Sequence, residues 1–430
     1  MQRITLAVIA MAMTLLSGAQ QVENCKAGQL ATLVDDCNIT RLEVSGHIDA
    51  RDFRFIADSL RQLVELDLGA TVVDAYSGDP LFGNSGTYNA GEVPCLSLAG
   101  LTSLQRLVLP RRATALGDGS LAGCTQLSTV DMPAGLSRVG DYALTGCTAL
   151  STLTLTAALS HIGEGAFSHC TALQSLVISE TPPADTVIVA APQLTIGARA
   201  FAHCPALRTL DLGHVARTMG AEALADTGLE QLDLSRHTQL DSLPDWALTN
   251  SELRQLSLPS SVRSIGDGAL MNVASLSQLT LPATVDYIGS YAMAYTTGLK
   301  QLESKPTEVP ALGDSVWYGI NQSAVTLRVS PQSLTAYRSA QQWCNFAMAS
   351  LQRGDVDGNG VVDIADVNII INIMLGRDNA DNYEGRAYVT DDSNIDIADV
   401  NAVINVMLAR LLALRRAAAL AAQSQQQITH

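Results

Sequence analysis

Five oxygen-bearing side chains stand close together near the C-terminal end of this 430-residue chain: Asp355, Asp357, Asn359, Asp363 and Asp366. With Asp355 as position 1, the others fall at positions 3, 5, 9 and 12, Gly360 stands at 6, and Val361 at 7 offers its backbone carbonyl. Donors at this spacing wrap roughly six to eight oxygens around one hard cation, so the segment reads as a calcium loop. Without the ion, four aspartates in one short loop repel one another, and Ca2+ binding is expected to drive folding of the module.

A helix must follow to carry the last ligand. Val367, Ile370, Ile371, Met374 and Leu375 are expected on one apolar face, with Gly376 as the stop. The same face recurs 33 residues later as Val400, Val403, Ile404, Met407 and Leu408, so a loop-helix unit is duplicated. The second loop is degenerate. Tyr388 takes position 1 and Thr390 position 3, Asp392, Asp396 and Asp399 keep 5, 9 and 12, and Ser393 replaces the turn glycine. Weak metal binding or none is expected there. Residues 410–430 are rich in Ala, Leu and Arg and are a candidate extension of the last helix, with Arg415 and Arg416 interrupting the run and excluding a membrane span.

The middle of the chain is periodic. Leu150, Leu153, Leu155, Ile162, Gly163, Ala166, Phe167 and Cys170 form one unit, and Leu127, Val130, Met132, Val139, Gly140, Ala143, Leu144 and Cys147 repeat it. Further units begin at Leu173, Leu207, Leu229, Leu253, Leu276 and Leu299, and earlier ones at Leu104, Leu63 and Ile39. Such a period means a solenoid whose units bury their apolar rings only against neighbours. Leu153 and Leu155 point inward, the residue between them outward, and Gly163 is expected to turn the chain through backbone freedom that other residues lack.

Cys124, Cys147 and Cys170 lie 23 residues apart, and Cys204 follows one insertion later. A cysteine once per repeat reads as a stacked, buried small side chain rather than a bridge. Cys25 and Cys37 are the better candidates for a disulfide, and Cys95 and Cys344 have no assigned place. At the start, Arg3, an apolar run from Ile4 to Leu16 and the small residues Ser17, Gly18 and Ala19 read as a secretory signal over residues 1–19.

Composition limits function. A formal charge of −16 argues against a nucleic-acid partner, and 47% hydrophobic residues against a disordered chain. The 4% of aromatic residues argue against a stacking platform. No nucleophile elbow, zinc-helix motif or phosphate loop is present, so no enzyme is expected. His169 and His203, both preceding a repeat cysteine, should face solvent at equivalent turns.

The repeat pattern, with the aliphatic-Gly, Ala-large and Cys signature and the closing Leu327, Val329, Pro331, Tyr337, Trp343 and Phe346, resembles the BspA-like leucine-rich repeats of bacterial surface proteins. The duplicated loop-helix unit resembles a type I dockerin, since aspartate rather than glutamate stands at 366 and no helix precedes the loop. The resemblances imply a leucine-rich-repeat solenoid with a parallel β-sheet, of the β-rich α/β repeat class, over residues 20–350. A small all-α calcium-binding dockerin over 353–409 would follow it. In dockerins, loop positions 10 and 11 help choose the cohesin; here they are Ile364, Ala365, Ile397 and Ala398, identical in both copies. Two readings stand for the isoleucines, a two-fold docking face or core packing.

On the array, successive outward residues Gln231, Gln255, Gln278 and Gln301 are expected to form an amide ladder. That strip is either a solvated structural face or a surface for a protein partner; a polysaccharide is the weaker alternative, for want of aromatics on it. The expected function is a secreted or cell-surface, bacterial, non-catalytic binding protein. Its array contacts a partner, in the manner of adhesion, and its dockerin attaches it to a cohesin-bearing assembly. The competing reading is a scaffold or targeting subunit, or even a hydrolase, of a polysaccharide-degrading complex.

Overall fold

The computed structural model describes residues 18–83, 85–179, 193–213, 216–330, 333–350, 354–357, 361–383, 387, 389–390 and 394–428. The signal segment as far as residue 17, residues 180–192 of the insertion before Cys204, Pro331, and Asn359, Gly360, Tyr388, Asp392 and Ser393 lie outside the described residues. Two compact units emerge: residues 1–300 with 310–322, and 301–309 with 323–430.

In the first unit each repeat is one turn with three walls. Eleven strands run along the first wall: Ala19–Cys25, Arg41–Ile48, Glu65–Val73, Arg106–Val108, Thr129–Asp131, Thr152–Leu155, Ser175–Ile178, Thr209–Asp211, Gln231–Asp233, Gln255–Ser257 and Gln278–Leu281. Every pairing on this wall is parallel, and inward leucines stack in register, as Leu42 on Leu66 on Leu107 and Leu153 on Leu176 on Leu210. The alternate leucines point into the core: Leu42, Leu66, Leu107, Leu153, Leu155 and Leu176 are all buried. Each such side chain contributes roughly 1.5–3 kcal/mol by leaving water. Ala19–Cys25 is a strand that the repeat pattern misses, because it lacks the leucine spacing and follows directly on the apolar N-terminus.

The second wall is built of shorter strands, among them Ala115–Leu116, Arg138–Val139, His161–Ile162 and Leu194–Ile196, paired in sequence. Here glycine has a different role from the expected one. Gly163 is not in the left-handed region. A Cβ on it would lie 2.5 Å from the backbone nitrogen of Asp141 in the turn below, and one on Gly197 or Gly266 would meet the turn below just as closely. Glycine stands there because two backbones touch.

The third wall consists of turns with two left-handed residues, four apart, in each repeat. One column runs Leu96, Gly119, Tyr142, Gly165, Arg199, Glu222, Trp246, Gly268, Tyr291 and Ser315; the other runs Gly100, Gly123, Gly146, His169, His203, Asp226, Asn250, Asn272, Tyr295 and Gly319. Left-handed residues donate their N–H along the stack: Tyr142 to Glu164 O (2.7 Å), His169 to Ala202 O (2.9 Å) and Asn250 to Met271 O (3.0 Å). In parts of the first column a large residue is followed by glycine, as Leu96 by Gly119, Tyr142 by Gly165 and Trp246 by Gly268, because the side chain lies over the turn that follows. A Cβ on Gly165 would sit 2.5 Å from the ring of Tyr142, and one on Gly268 2.3 Å from that of Trp246.

The repeat cysteines occupy a buried column, as expected, and each thiol donates to a carbonyl of the preceding turn: Cys124 to Leu98 (3.1 Å), Cys147 to Leu121 (3.4 Å), Cys170 to Leu144 (3.2 Å) and Cys204 to Phe167 (3.1 Å). Thr296 holds the same column position and makes the same bond to Leu270 O at 2.7 Å. Cys25 and Cys37 are not bridged; the first is buried and the second exposed, and all eight cysteines are free thiols. Cys95 is partly buried near Phe82 O, and Cys344 is exposed.

The helix Ala50–Ser59 follows the second strand and packs on the short helix Leu30–Leu33. Its buried Asp52 accepts N–H bonds from Gly28 (2.6 Å), Leu30 (2.8 Å) and Asp49 (2.9 Å). Burial nevertheless raises this carboxyl above its ordinary pKa, the three backbone bonds opposing it.

In the second unit, strands Gln301–Ser304, Thr326–Val329 and Ala347–Ser350 pair in parallel. Tyr337, Trp343 and Phe346 pack nearby, ring centroids 5.1 and 6.1 Å apart, and the Tyr337 hydroxyl meets Ser304 Oγ at 2.7 Å. The helices Ile364–Met374 and Ile397–Ile428 belong to the C-terminal module. Their apolar faces are only half used: Val367, Ile370, Val400 and Val403 are buried, whereas Ile371, Met374, Leu375, Ile404 and Leu408 are exposed. Gly376, with φ +66°, ends the first helix. The second continues through Arg415 and Arg416, which do not interrupt it.

Two tests follow from the stacking. Gly163→Ala should destabilise the protein by about 2–3 kcal/mol in denaturant melts, while Gly135→Ala, where a Cβ meets nothing within 4 Å, should leave the melt unchanged. Burial also raises the thiol pKa of Cys124 to about 11 and of Cys204 to about 12, above the ordinary value of 9.0. The unfolded thiols lose protons first, so stability should fall as pH rises above 9, and a thiol reagent at pH 8 should label Cys37 and Cys344 in the native protein but the repeat cysteines only on unfolding.

Candidate functional site

In the C-terminal module, the carboxylates of Asp355, Asp357 and Asp366 offer ligand atoms within 4.8 Å of one another. The local fold explains how. Asp363 caps the helix Ile364–Met374, its side chain accepting from Ala365 N at 2.7 Å. Asp366, fully buried in the first turn, accepts from Asp363 N at 2.8 Å through one oxygen and from Val356 N (2.7 Å) and Asp357 N (3.1 Å) through the other. Asp366 therefore folds the loop back on the helix start and brings Asp355 and Asp357 to it. Val361 is exposed. The donor set is hard oxygen throughout, with two of its three clustered carboxylates buried, which suits a calcium-sized cation.

The second copy repeats this frame 33 residues on. Asp399 accepts from Asp396 N (2.9 Å) and Thr390 N (2.8 Å), and Asp396 accepts from Ala398 N (2.6 Å). One difference is chemical: the Thr390 hydroxyl donates to Asp399 Oδ1 at 3.0 Å, where the first copy has the carboxylate of Asp357. Val356, Val367 and Ile370 share one core with Val389, Val400 and Val403. Ile364 and Ile397 are not in it; they are 61% and 62% exposed, and Ala365 and Ala398 beside them are exposed too. The core-packing alternative for these isoleucines is thus excluded.

On the first unit, the strand wall changes character along its length. Arg41 pairs with Glu65 at 2.9 Å and Arg106 with Asp131 at 3.5 Å near its start. Hydroxyls follow at Thr129, Thr152, Thr154 and Ser175, and then amides and carboxylates. The expected glutamine ladder is not formed. Gln231 and Gln255 are in register and exposed, as is Gln278, but among the described residues no hydrogen bond joins their amides. In the second unit Gln301 is half-buried, and Glu303, two residues on in the same strand, is buried near Lys305. A ladder exists instead on the turn wall: the rings of His169 and His203 stack at 4.6 Å, His203 Nδ1 meets Asp226 Oδ2 at 2.8 Å, and Asn250 and Asn272 continue it at 2.8 and 2.9 Å.

The strand wall is also interrupted. Thr129–Asp131 pairs with Arg106–Val108, and Thr152–Leu155 with Ser175–Ile178, but no backbone hydrogen bond joins Thr129–Asp131 to Thr152–Leu155. The second wall stays paired across the same two turns. The strands splay over a groove of about 710 Å³ lined by Ser128, Thr129, Ser151, Thr152, Thr154 and Thr156, with Val130 and Met132 half exposed in its floor. The same wall also breaks between Thr209–Asp211 and Gln231–Asp233 and between Gln255–Ser257 and Gln278–Leu281. No signal in a single repeat marks the groove, because it lies between two.

Residues 97–186 and 183–300 match the family described as BspA type leucine rich repeat region, in six copies. Among solved structures, the chain is similar to the pneumococcal vaccine antigen PcpA, at 19% identity over 59% of this chain and 70% of that one, with a TM-score of 0.37. It is similar to a leucine-rich cell surface protein from Faecalibacterium prausnitzii, at 14% identity over 74% and 80% of the two chains and a TM-score of 0.34. It is also similar to a leucine-rich repeat protein from Bacteroides ovatus, at 15% identity over 64% and 91% and a TM-score of 0.23. No curated protein matches significantly. Among the described residues no helix is long and apolar enough to cross a membrane.

The Asp399 contacts make a metal-independent test. Asp399→Ala would leave the backbone N–H groups of Asp396 and Thr390 without their acceptor, a cost of about 2 kcal/mol or more. In chelator-treated protein, hydrogen exchange at the start of Ile397–Ile428 should accelerate by roughly thirtyfold, and by less in Asp399→Asn, which keeps one oxygen.

Proposed function

We propose, for a chain that carries a BspA-type leucine-rich repeat region over residues 97–300, a non-catalytic binding protein of the cell exterior: the array holds a protein partner and the C-terminal module fastens it to a larger assembly. The observation that carries the first half is the groove on the strand wall. Its hydroxyl rim, half-exposed apolar floor and unpaired strand edges suit a polypeptide, which offers backbone donors and acceptors together with apolar side chains. The wide polar strand face around it supplies the rest of a protein-sized contact.

The second half rests on the duplicated loop-helix unit, read as a dockerin. Asp355, Asp357, Asp363 and Asp366, with Asn359 and the carbonyl of Val361, are the residues that would hold calcium, and the bound ion supplies the positive charge that offsets their mutual repulsion. The exposed pair Ile364 and Ile397, each the first residue of its helix, offers two equivalent apolar contacts to a cohesin-like domain. Thr390 removes a carboxylate from the second loop and already satisfies Asp399, so that loop is read as metal-free.

Titration of the full chain with calcium should give one equivalent, lost in Asp355→Ala/Asp357→Ala. Pull-down from culture medium should recover a partner in calcium, but not in chelator or with Ile364→Arg/Ile397→Arg. A chelator-resistant partner should be lost on Thr152→Arg/Thr154→Arg. No heat on titration would end the calcium reading, and capture indifferent to all four isoleucine and threonine changes would end the docking assignments.

A further inference from the structure

The turn wall holds a second surface, remote from the strand-wall groove in the fold of each repeat. Tyr291 and Tyr295 stand in one turn near the end of the first unit and Tyr318 in the next, with 44%, 43% and 55% of their surface exposed. The ring of Tyr318 meets that of Tyr295 edge-on at 5.4 Å and 85°, and that of Tyr291 at 6.4 Å and 71°. Three open aromatic rings are a notable concentration in a chain with 4% aromatic residues.

The fold does not require them. Tyr291 and Tyr295 both occupy left-handed positions, φ +57° and +60°, which glycine or asparagine fills in neighbouring turns. A bulky side chain there costs about 1 kcal/mol or more. Tyr295 recovers part of that cost by covering Gly319, where a Cβ would lie 2.8 Å from its ring. The Tyr318 ring meets solvent and the other two tyrosines.

Charge in these turns has one sign: the turn segments 266–273, 289–297 and 313–320 contain two charged residues, Asp267 and Asp314, both exposed. Both are tied to the turn that carries Tyr291 and Tyr295: Ser290 N donates to Asp267 Oδ1 at 2.7 Å, the Asp314 backbone N donates to Ser290 Oγ at 3.1 Å, and Tyr291 N donates to the Asp314 backbone O at 3.0 Å. Carboxylates next to exposed aromatic faces complement a cation that is flat and hydrogen-bonds at its edge.

We infer that Tyr291, Tyr295 and Tyr318, with Asp267 and Asp314, form a docking site for an arginine-bearing segment of a protein partner. A guanidinium stacks on a ring face while its edge N–H groups reach a carboxylate; a lysine ammonium supplies the charge without the plane. The site is independent of the strand-wall groove and of calcium.

The test uses the full chain in chelator and two synthetic probes, hepta-arginine and hepta-lysine, titrated at fixed salt. The arginine peptide should bind several-fold more tightly than the lysine peptide. Tyr291→Gly/Tyr318→Ala, which places in the left-handed column the glycine found at positions 119, 165 and 268, should weaken arginine binding roughly tenfold without lowering the melting temperature. Tyr318→Phe should bind as wild type, and Asp267→Asn/Asp314→Asn should weaken binding and flatten its salt dependence. If the glycine-alanine variant misfolds, Tyr318→Lys alone should give the same loss. Equal binding of both peptides, unchanged binding by the tyrosine variants, or no binding would each overturn the assignment.

Discussion

Parallel turns stacked about 4.8 Å apart leave no freedom in what lies above what. Each position of a repeat becomes a column, and each column must solve its own contact problem through the whole first unit. The glycine column on the second wall solves a backbone contact, since a Cβ there would fall about 2.5 Å from the turn below. The cysteine column solves a polar one, giving a buried carbonyl of the preceding turn a weak donor small enough to fit. The turn wall solves a directional one: its left-handed residues and those midway between them, such as Leu144 and Leu270, donate their N–H groups along the stack to the next turn.

Function enters where a column is allowed to vary. In the left-handed columns, small residues tolerate a large neighbour one turn away, so Trp246 lies over Gly268 and Tyr295 over Gly319. The alternation leaves aromatic and polar side chains displayed on a rigid wall at little cost in core packing. The His169, His203, Asp226, Asn250 and Asn272 ladder uses the same freedom with polar groups. On the strand wall the variation is in the partner spacing itself. Thr129–Asp131 and Thr152–Leu155 fail to pair while the walls around them remain joined, and the interruption exposes Val130 and Met132. A stack thus generates a groove without interrupting its core.

What could be read from the residues follows from the same geometry. The period, the inward leucines and the buried cysteines were legible because each repeats within a unit, and a repeated type at a fixed place reports a repeated environment. Contacts between units were not. Gly163 carries no mark distinguishing backbone freedom from backbone proximity. The four glutamines look like a ladder in one dimension, whereas the real ladder joins residues as unlike as His203, Asp226 and Asn250. The tyrosines at 291, 295 and 318 are spaced irregularly and become neighbours only when turns stack. Strand Ala19–Cys25 had no leucine frame to announce it. In the C-terminal module the loop pattern and the duplication were legible; the exposure of Ile364 and Ile397 was not, because an apolar residue at a helix start has the same spacing whether it packs or projects.

The duplicated loops give the strongest argument about charge. Both place one buried aspartate at the first turn of a helix and fold the preceding loop onto it through backbone N–H groups. In the second loop, burial pushes the Asp399 carboxyl up, but the N–H groups of Asp396, Thr390 and Val389 and the Thr390 hydroxyl outweigh it and hold the carboxyl below its ordinary pKa. The anion is stabilised by neutral donors. In the first loop a carboxylate, Asp357, replaces that hydroxyl, and Asp355 adds another within the same 4.8 Å. A carboxylate cannot donate, so the same backbone frame surrounds one satisfied anion in one copy and three mutually repelling anions in the other. On the calcium reading, two changes of side chain, tyrosine to aspartate at position 1 and threonine to aspartate at position 3, separate a loop that holds its shape alone from one whose shape depends on an ion.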